Sequence, residues 1–322
     1  MRRILSIDGG GIRGIIPAVL LAALERQTGR LTRETFDFVA GTSTGAVLAA
    51  GIAAGIPAAE LARLYERRSA DVFRRVPLVS TLRRVLTGSM YDTATLHRVI
   101  REELGDAARD WRLNDAPIDL LITAKRLSDG MPWYFVRDNP ANSCRAGDYK
   151  LADAATASAA APTYLPPWPI RGIGELIDGG TGVAGNPVYQ ACVEAFEYTD
   201  SYAPAETLVV SLGTGRLLRR DRPTWIWSWL GWLLSELLRS PAEQQTELVH
   251  RHYRDAPFYR LDLELEREIG LDAVGRIGEL RVLGERLAAE VDWPAILDGS
   301  DERFLVTDAS TLPREYCRIG PG

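Results

Sequence analysis

Two apolar runs, each ending in a glycine-rich turn and each followed by a helix-patterned stretch, constrain this chain more than any other feature. Arg3 to Ile7 runs into "DGGGIRG" at 8–14, after which Ile16, Val19, Leu20, Ala23 and Leu24 recur at helical spacing across Ile15 to Thr28. Phe36 to Ala40 runs into "GTSTG" at 41–45, and the small-residue stretch Ala46 to Ala54 follows as a closely packing helix. Strand, turn and helix repeated in succession predict an α/β fold, with a mostly parallel sheet covered on both faces.

The pattern continues along the chain. Helices are predicted over Pro57 to Phe73, where Pro57 suits a first turn, and over Thr93 to Leu104. The segments 117–127 and 131–138 read as a hairpin turning at Ser128-Asp129-Gly130, and further strands fall at Glu175 to Ile177 and Thr207 to Leu212. After residue 215 helical patterns dominate to about 298, with one strand candidate at Phe258 to Leu265. The expected organisation is an α/β domain over 1–215 and a helical C-terminal region over 216–322 packed on it.

Composition narrows the function classes. With 322 residues, 46% hydrophobic and 25% charged, the chain can bury one large core or two smaller ones. A net charge of −5 argues against a nucleic-acid partner. Three cysteines, Cys144, Cys192 and Cys317, match neither a disulfide framework nor a zinc site and fit a reducing compartment. Ile4-Leu5-Ser6-Ile7 is too short for a signal-peptide core, so export by that route is not expected.

The chemistry sits in the turns. "GTSTG" fits G-x-S-x-G, a weak signal alone, since an ordinary glycine-serine turn has the same composition. Its place between a strand and a helix is what a nucleophile elbow requires, with Ser43 presented near a helix N-terminus. A serine nucleophile needs a base. His97 lies in a charged amphipathic helix and reads as a surface residue. His250 and His252, in "ELVHRHYRD", point apart on a helix, so neither a conventional triad nor a shared metal site is supported. The stronger candidate is Asp178 in "LIDGGTGVAGNP", which follows an apolar run; burial would raise its pKa and make it a better base. Gly9, Gly10 and Gly11 can expose successive N–H groups, and such a nest binds an oxyanion or a phosphate equally well. The loop lacks the G-K-[ST] ending of a phosphate-binding loop. Arg13 is placed to orient this loop or to meet a lipid phosphate.

Taken in order, "DGGGIRG" at 8–14, "GTSTG" at 41–45 and "DGG" at 178–180 resemble the motifs of the patatin-like phospholipases, and "ATASAAAPTYLPP" at 155–167 resembles the family's segment ahead of its dyad aspartate. The resemblance spans roughly residues 3 to 215 and suggests a bacterial member. It implies a three-layer α/β/α fold and a serine esterase of phospholipase type, with Ser43 as nucleophile, Asp178 as base and Gly9, Gly10 and Gly11 as the oxyanion hole. Such chemistry needs no metal and no organic cofactor. The resemblance also implies a cytoplasmic protein acting on phospholipid or another glycerolipid, peripheral at the inner face of the cell membrane. Cyclic-nucleotide activation in anti-phage signalling, a homo-oligomer, and an idle storage or scaffold protein on the same fold stay open.

One segment falls outside these motifs. "TWIWSWLGWLLSELL" at 224–238 holds four of the eight tryptophans and follows Arg216, Arg219, Arg220 and Arg222. As a helix it sets Trp225, Trp229 and Trp232 on a broad apolar surface, too short to span a bilayer. A lid or interfacial membrane contact is expected there, with a subunit interface or buried core as the alternatives.

Overall fold

The alternation expected of sheet strands is visible in the side chains of β1 (Arg2–Ile7), where Ile4 joins the core on one face and Leu5 and Ile7 that on the other. The structure, a computed structural model, describes residues 1–74, 88–139, 146–182, 184–217, 224, 229 and 243–307. Eight strands form one sheet in the order β5-β6-β3-β2-β1-β7-β9, with β4 on the other edge of β3. These strands are β2 (Phe38–Gly41), β3 (Asp119–Arg126), β4 (Pro132–Val136), β5 (Trp168–Ile170), β6 (Gly174–Asp178), β7 (Thr207–Leu212) and β9 (Phe258–Leu261). The pairs β1·β2, β1·β7, β2·β3 and β7·β9 are parallel, and the pairs of β4, β5 and β6 are antiparallel.

Helices cover both faces. On one side lie α1 (Ile15–Thr28), α3 (Thr44–Ala54), α4 (Ala58–Val72), α5 (Thr93–Ala108) and α6 (Leu151–Ser158), together with α9 (Ile277–Glu290) and α10 (Trp293–Asp298); α2 (Thr32–Thr35) is a single turn. On the other side α7 (Val188–Glu197) and the helix α8 at 243–252 pack Val188, Ala191, Cys192 and Val249 against Phe38, Leu121 and Val209. Cys192 is a free thiol buried there. The result is a three-layer α/β/α fold.

Several boundaries differ from the pattern-based expectation. The helix after "GTSTG" begins at Thr44, inside the motif, and the strand before it begins at Phe38, because Phe36 still closes the preceding helical turn, its N–H donating to the Thr32 carbonyl at 3.0 Å. The helix from Thr93 continues to Ala108 through a kink at Gly105, whose φ is 69°. Beyond residue 215 the strand expected at Phe258 to Leu265 is divided into β9 and β10 (Glu264–Leu265), and the described residues add β8 (Arg216–Leu217), which was not expected. β9 extends the main sheet on β7, and α9 packs along α1, so residues on both sides of 215 share one sheet and core.

Candidate active site

The turn after β2 is strained at Ser43, which holds φ 55° and ψ −121° and is one of two described non-glycine residues at positive φ. Such strain needs surrounding support. A Cβ on Gly45 would run into the Ile7 carbonyl, so glycine lets the turn press against β1. The Ser43 N–H donates to Ser158 Oγ at 2.8 Å, and Thr42 Oγ1 lies 2.7 Å from Thr123 Oγ1.

Sheet register brings Asp178 to this turn. β4 pairs with β3 over 121–125, overlapping the pairings of both β2 and β6, so β2 and β6 share the opposite edge of β3. β2 ends at Gly41, opposite Ile122, and β6 arrives head-on with Asp178 opposite Ala124. Asp178 is 2% exposed and Ser43 8%. Burial pushes the Asp178 carboxyl up to about 6, against the pull of the facing Ser43 hydroxyl and the Gly180 N–H, which it accepts at 2.7 Å.

The glycine loop lies against the same serine: a Cβ on Gly9 would stand 3.2 Å from Ser43 Cβ. Its three glycines are not equivalent. The Gly9 N–H donates to the Gly185 carbonyl at 2.9 Å, so of the three glycines expected at the oxyanion hole this one has its N–H already paired. The Gly10 and Gly11 N–H groups have no partner among the described residues, and Gly11 takes the left-handed φ of 58°. Arg13 Nε donates to the Gly10 carbonyl at 3.3 Å and its Nη1 to that of Gly215 at 3.4 Å, geometry that fits the loop-orienting alternative. An apolar cavity opens from Ser43 and Gly11 between α4 and α5, with Leu64, Val72, Phe73, Val99 and Ile100 among its walls.

The histidines stand apart from this site. None lines the cavity at Ser43. His97, expected on the surface, is a half-buried partner of Asp153 at 2.9 Å and packs its ring at a tilt against Trp168, because α5 packs on α6 there. His252 Nδ1 meets the Tyr189 hydroxyl at 2.8 Å. No metal-binding cluster is present among the described residues. Trp225 and Trp232 lie outside the described residues, and Trp229 is exposed.

Sequence reasoning missed Ser158, Thr214 and Arg260. Thr214 Oγ1 donates to the Gly9 carbonyl at 2.7 Å, and Arg260 pairs with Asp8 just before the loop. "SLGTG" at 211–215, running off the end of β7, was a signal for Thr214. Nothing local marks Arg260.

The family model described as patatin-like phospholipase matches residues 5–192. A cGAMP-activated phospholipase of Escherichia coli (strain TW11681) is 31% identical over 222 residues, covering 66% of this chain and 62% of that protein. A protein of the same name from Vibrio cholerae is 33% identical over 207 residues, covering 60% of this chain and 58% of that protein. The chain therefore spans less than two thirds of the length of either phospholipase. Patatin-17 of Solanum cardiophyllum is 28% identical over 298 residues, covering 81% of this chain and 74% of that protein. Among solved structures, VipD from Legionella pneumophila matches at a TM-score of 0.43 and 13% identity, covering 90% of this chain and 67% of that one. With more than half of its length matched by the family model, this chain belongs to the patatin-like phospholipase family.

Proposed function

We propose that the chain is a serine acyl hydrolase that cleaves fatty-acyl esters of membrane phospholipid or a related glycerolipid through a Ser43–Asp178 dyad. The observation that carries this reading is the meeting of a strained, buried serine with a buried carboxylate whose pKa stands at about 6, where it is ionised at neutral pH yet basic enough to take a proton. Asp178 accepts the Ser43 proton as Oγ attacks the ester carbonyl. The carbonyl oxygen becomes an oxyanion, stabilised by the Gly10 and Gly11 N–H groups, with Arg13 holding the loop. Collapse breaks the ester bond, the leaving alkoxide takes the proton from Asp178, and water, activated by the same carboxylate, then releases the fatty acid. The apolar cavity beside Ser43 suits an acyl chain.

Two finer readings belong with this one. The enzyme works at the cytoplasmic membrane surface, touching it through the tryptophan-rich segment; exposed Trp229 supports this, and no described helix is long and apolar enough to cross a membrane. A cyclic dinucleotide serves as activator; what favours this is that relatives at 31% and 33% identity are named cGAMP-activated phospholipases. The test is incubation of purified protein with a mixed membrane extract, with and without cGAMP, followed by lipid mass spectrometry. Free fatty acid and lysolipid released by wild type but not by Ser43→Ala is the expected result. No release under any condition favours the storage or scaffold alternative.

A further inference from the structure

In a trans peptide the N–H and C=O point in opposite directions, so whatever grips the carbonyl also fixes where the N–H aims. The Gly10 N–H belongs to the peptide whose carbonyl is that of Gly9, and the Gly11 N–H to the peptide whose carbonyl is that of Gly10. The second carbonyl is held by Arg13, through its N–H at 3.2 Å and its Nε at 3.3 Å. The first is held by the Thr214 hydroxyl at the shorter distance of 2.7 Å. Thr214 is 5% exposed, and a Cβ on Gly10 would come within 2.7 Å of its Cβ, so loop and threonine are in contact with no room between them.

Thr214 is itself held on both sides. The Gly213 N–H donates to the Leu261 carbonyl at 2.8 Å and the Gly215 N–H to Asp262 Oδ1 at 2.9 Å, which anchors this short loop on the end of β9. Asp262 in turn bonds Arg260, the partner of Asp8. A rigid second loop therefore supports the first.

We infer that Thr214 is a positioning residue for the oxyanion hole: by donating to the Gly9 carbonyl it fixes the Gly10 N–H toward the place where the ester oxygen becomes negative. The bond also polarises that peptide and strengthens its N–H as a donor. This inference rests on the hydrolase reading above. It adds a residue beyond the stretch matched by the family model, which ends at 192.

The test compares Thr214→Val, which replaces the hydroxyl by a methyl of like size, with Thr214→Ser, which keeps it. On a short soluble ester the valine variant should lose about tenfold or more in kcat, with KM changed by less than about twofold. Its affinity for an alkyl trifluoromethyl ketone, which adds to Ser43 as a tetrahedral oxyanion, should fall by the same factor. The serine variant should recover both to within about threefold of wild type. A valine variant with wild-type kcat overturns the inference, as do valine and serine variants impaired alike, since packing and not the hydroxyl would then matter. If circular dichroism finds Thr214→Val unfolded, Thr214→Ala against Thr214→Ser carries the same comparison. Failure of the hydrolase reading is visible separately, as a wild type that cleaves no ester and forms no adduct at Ser43.

Discussion

Arg260 forks the carboxylate of Asp8, Nη1 to Oδ1 at 2.9 Å and Nη2 to Oδ2 at 2.6 Å, at the residue that leads into the glycine loop. Nη2 also reaches Asp262 at 2.9 Å and Nη1 reaches Ser211 Oγ at 2.7 Å. Burial opposes the charge on this guanidinium, but Asp8 and Asp262 outweigh it and hold its pKa above the ordinary value. Burial likewise pushes Asp8 up to about 6, against the pull of Arg260. One cation thus joins the ends of β1, β7 and β9 below the loop.

Such a pair adds little net stability, but removing one partner strands the other charge. Arg260→Met should therefore destabilise the fold by about 3 kcal/mol in urea unfolding. Arg260→Lys should also fall short of wild type, because a point charge cannot reproduce the fork. A wild-type midpoint for both variants would show that the fork does not support the loop.

Ser43→Ala should abolish esterase activity to within the residual rate left by binding and the oxyanion hole, a loss of at least about 1000-fold. Its melting temperature should stay near that of wild type. A fluorophosphonate should label the wild type at Ser43, as read by peptide mass spectrometry; labelling at another serine would move the nucleophile elsewhere.

Asp178→Asn should lose activity while gaining stability at neutral pH. The folded pKa of about 6 lies above the ordinary 3.8, so the folded state holds this proton more tightly than the unfolded chain. The associated stability is present below pH 3.8 and is lost as pH rises through about 6. Asparagine has no such loss, and its carbonyl can still accept the Gly180 N–H. The variant should exceed wild type by up to about 3 kcal/mol at pH 7 to 8, with the gap closing toward pH 4. In the wild type, kcat/KM should rise with pH through about 6. A flat profile across that range would remove Asp178 as the base.

Gly10→Ala should fold but hydrolyse slowly. The added methyl meets the Thr214 side chain, so the loop must shift and carry its N–H groups with it. Loss of one such donor corresponds to about 3 kcal/mol of transition-state stabilisation, a fall of about 100-fold in kcat. A kcat within about twofold of wild type would exclude the Gly10 N–H from the reaction.

Replacing Trp225, Trp229 and Trp232 together by serine should weaken liposome binding in a flotation assay and slow hydrolysis of vesicle lipid, while a short soluble ester is cleaved as before. Equal loss on both substrates, with a lower melting temperature, would indicate that these side chains support the fold and not a membrane contact.

Much of this protein was legible in the sequence because it is written locally. The strands β1, β2, β3 and β7 follow from apolar runs, the turn at Ser43 from glycines flanking it between a strand and a helix, and the strand that ends at Asp178 from the apolar run before it. The resemblance of the ordered motifs named the family. Periodicity and turn composition act over a few residues, and one sequence displays them fully.

Only tertiary structure decided which of these pieces meet. That β2 and β6 share one edge of β3, so that Asp178 arrives head-on at the end of Gly41, depends on pairings between residues fifty or more positions apart. The division of labour among the glycines was equally hidden: Gly9, Gly10 and Gly11 are the same residue, and the Gly185 carbonyl, Thr214 and Arg13 distinguish their peptides from outside. The exposed-face pattern of His97 concealed its pairing with Asp153, since a helix turned toward a second helix buries polar residues that the periodicity assigns to solvent. Arg260 carried no local signal, because its partner Asp8 lies 252 residues away and a lone arginine on a strand acquires a role only when the sheet brings an acid beside it.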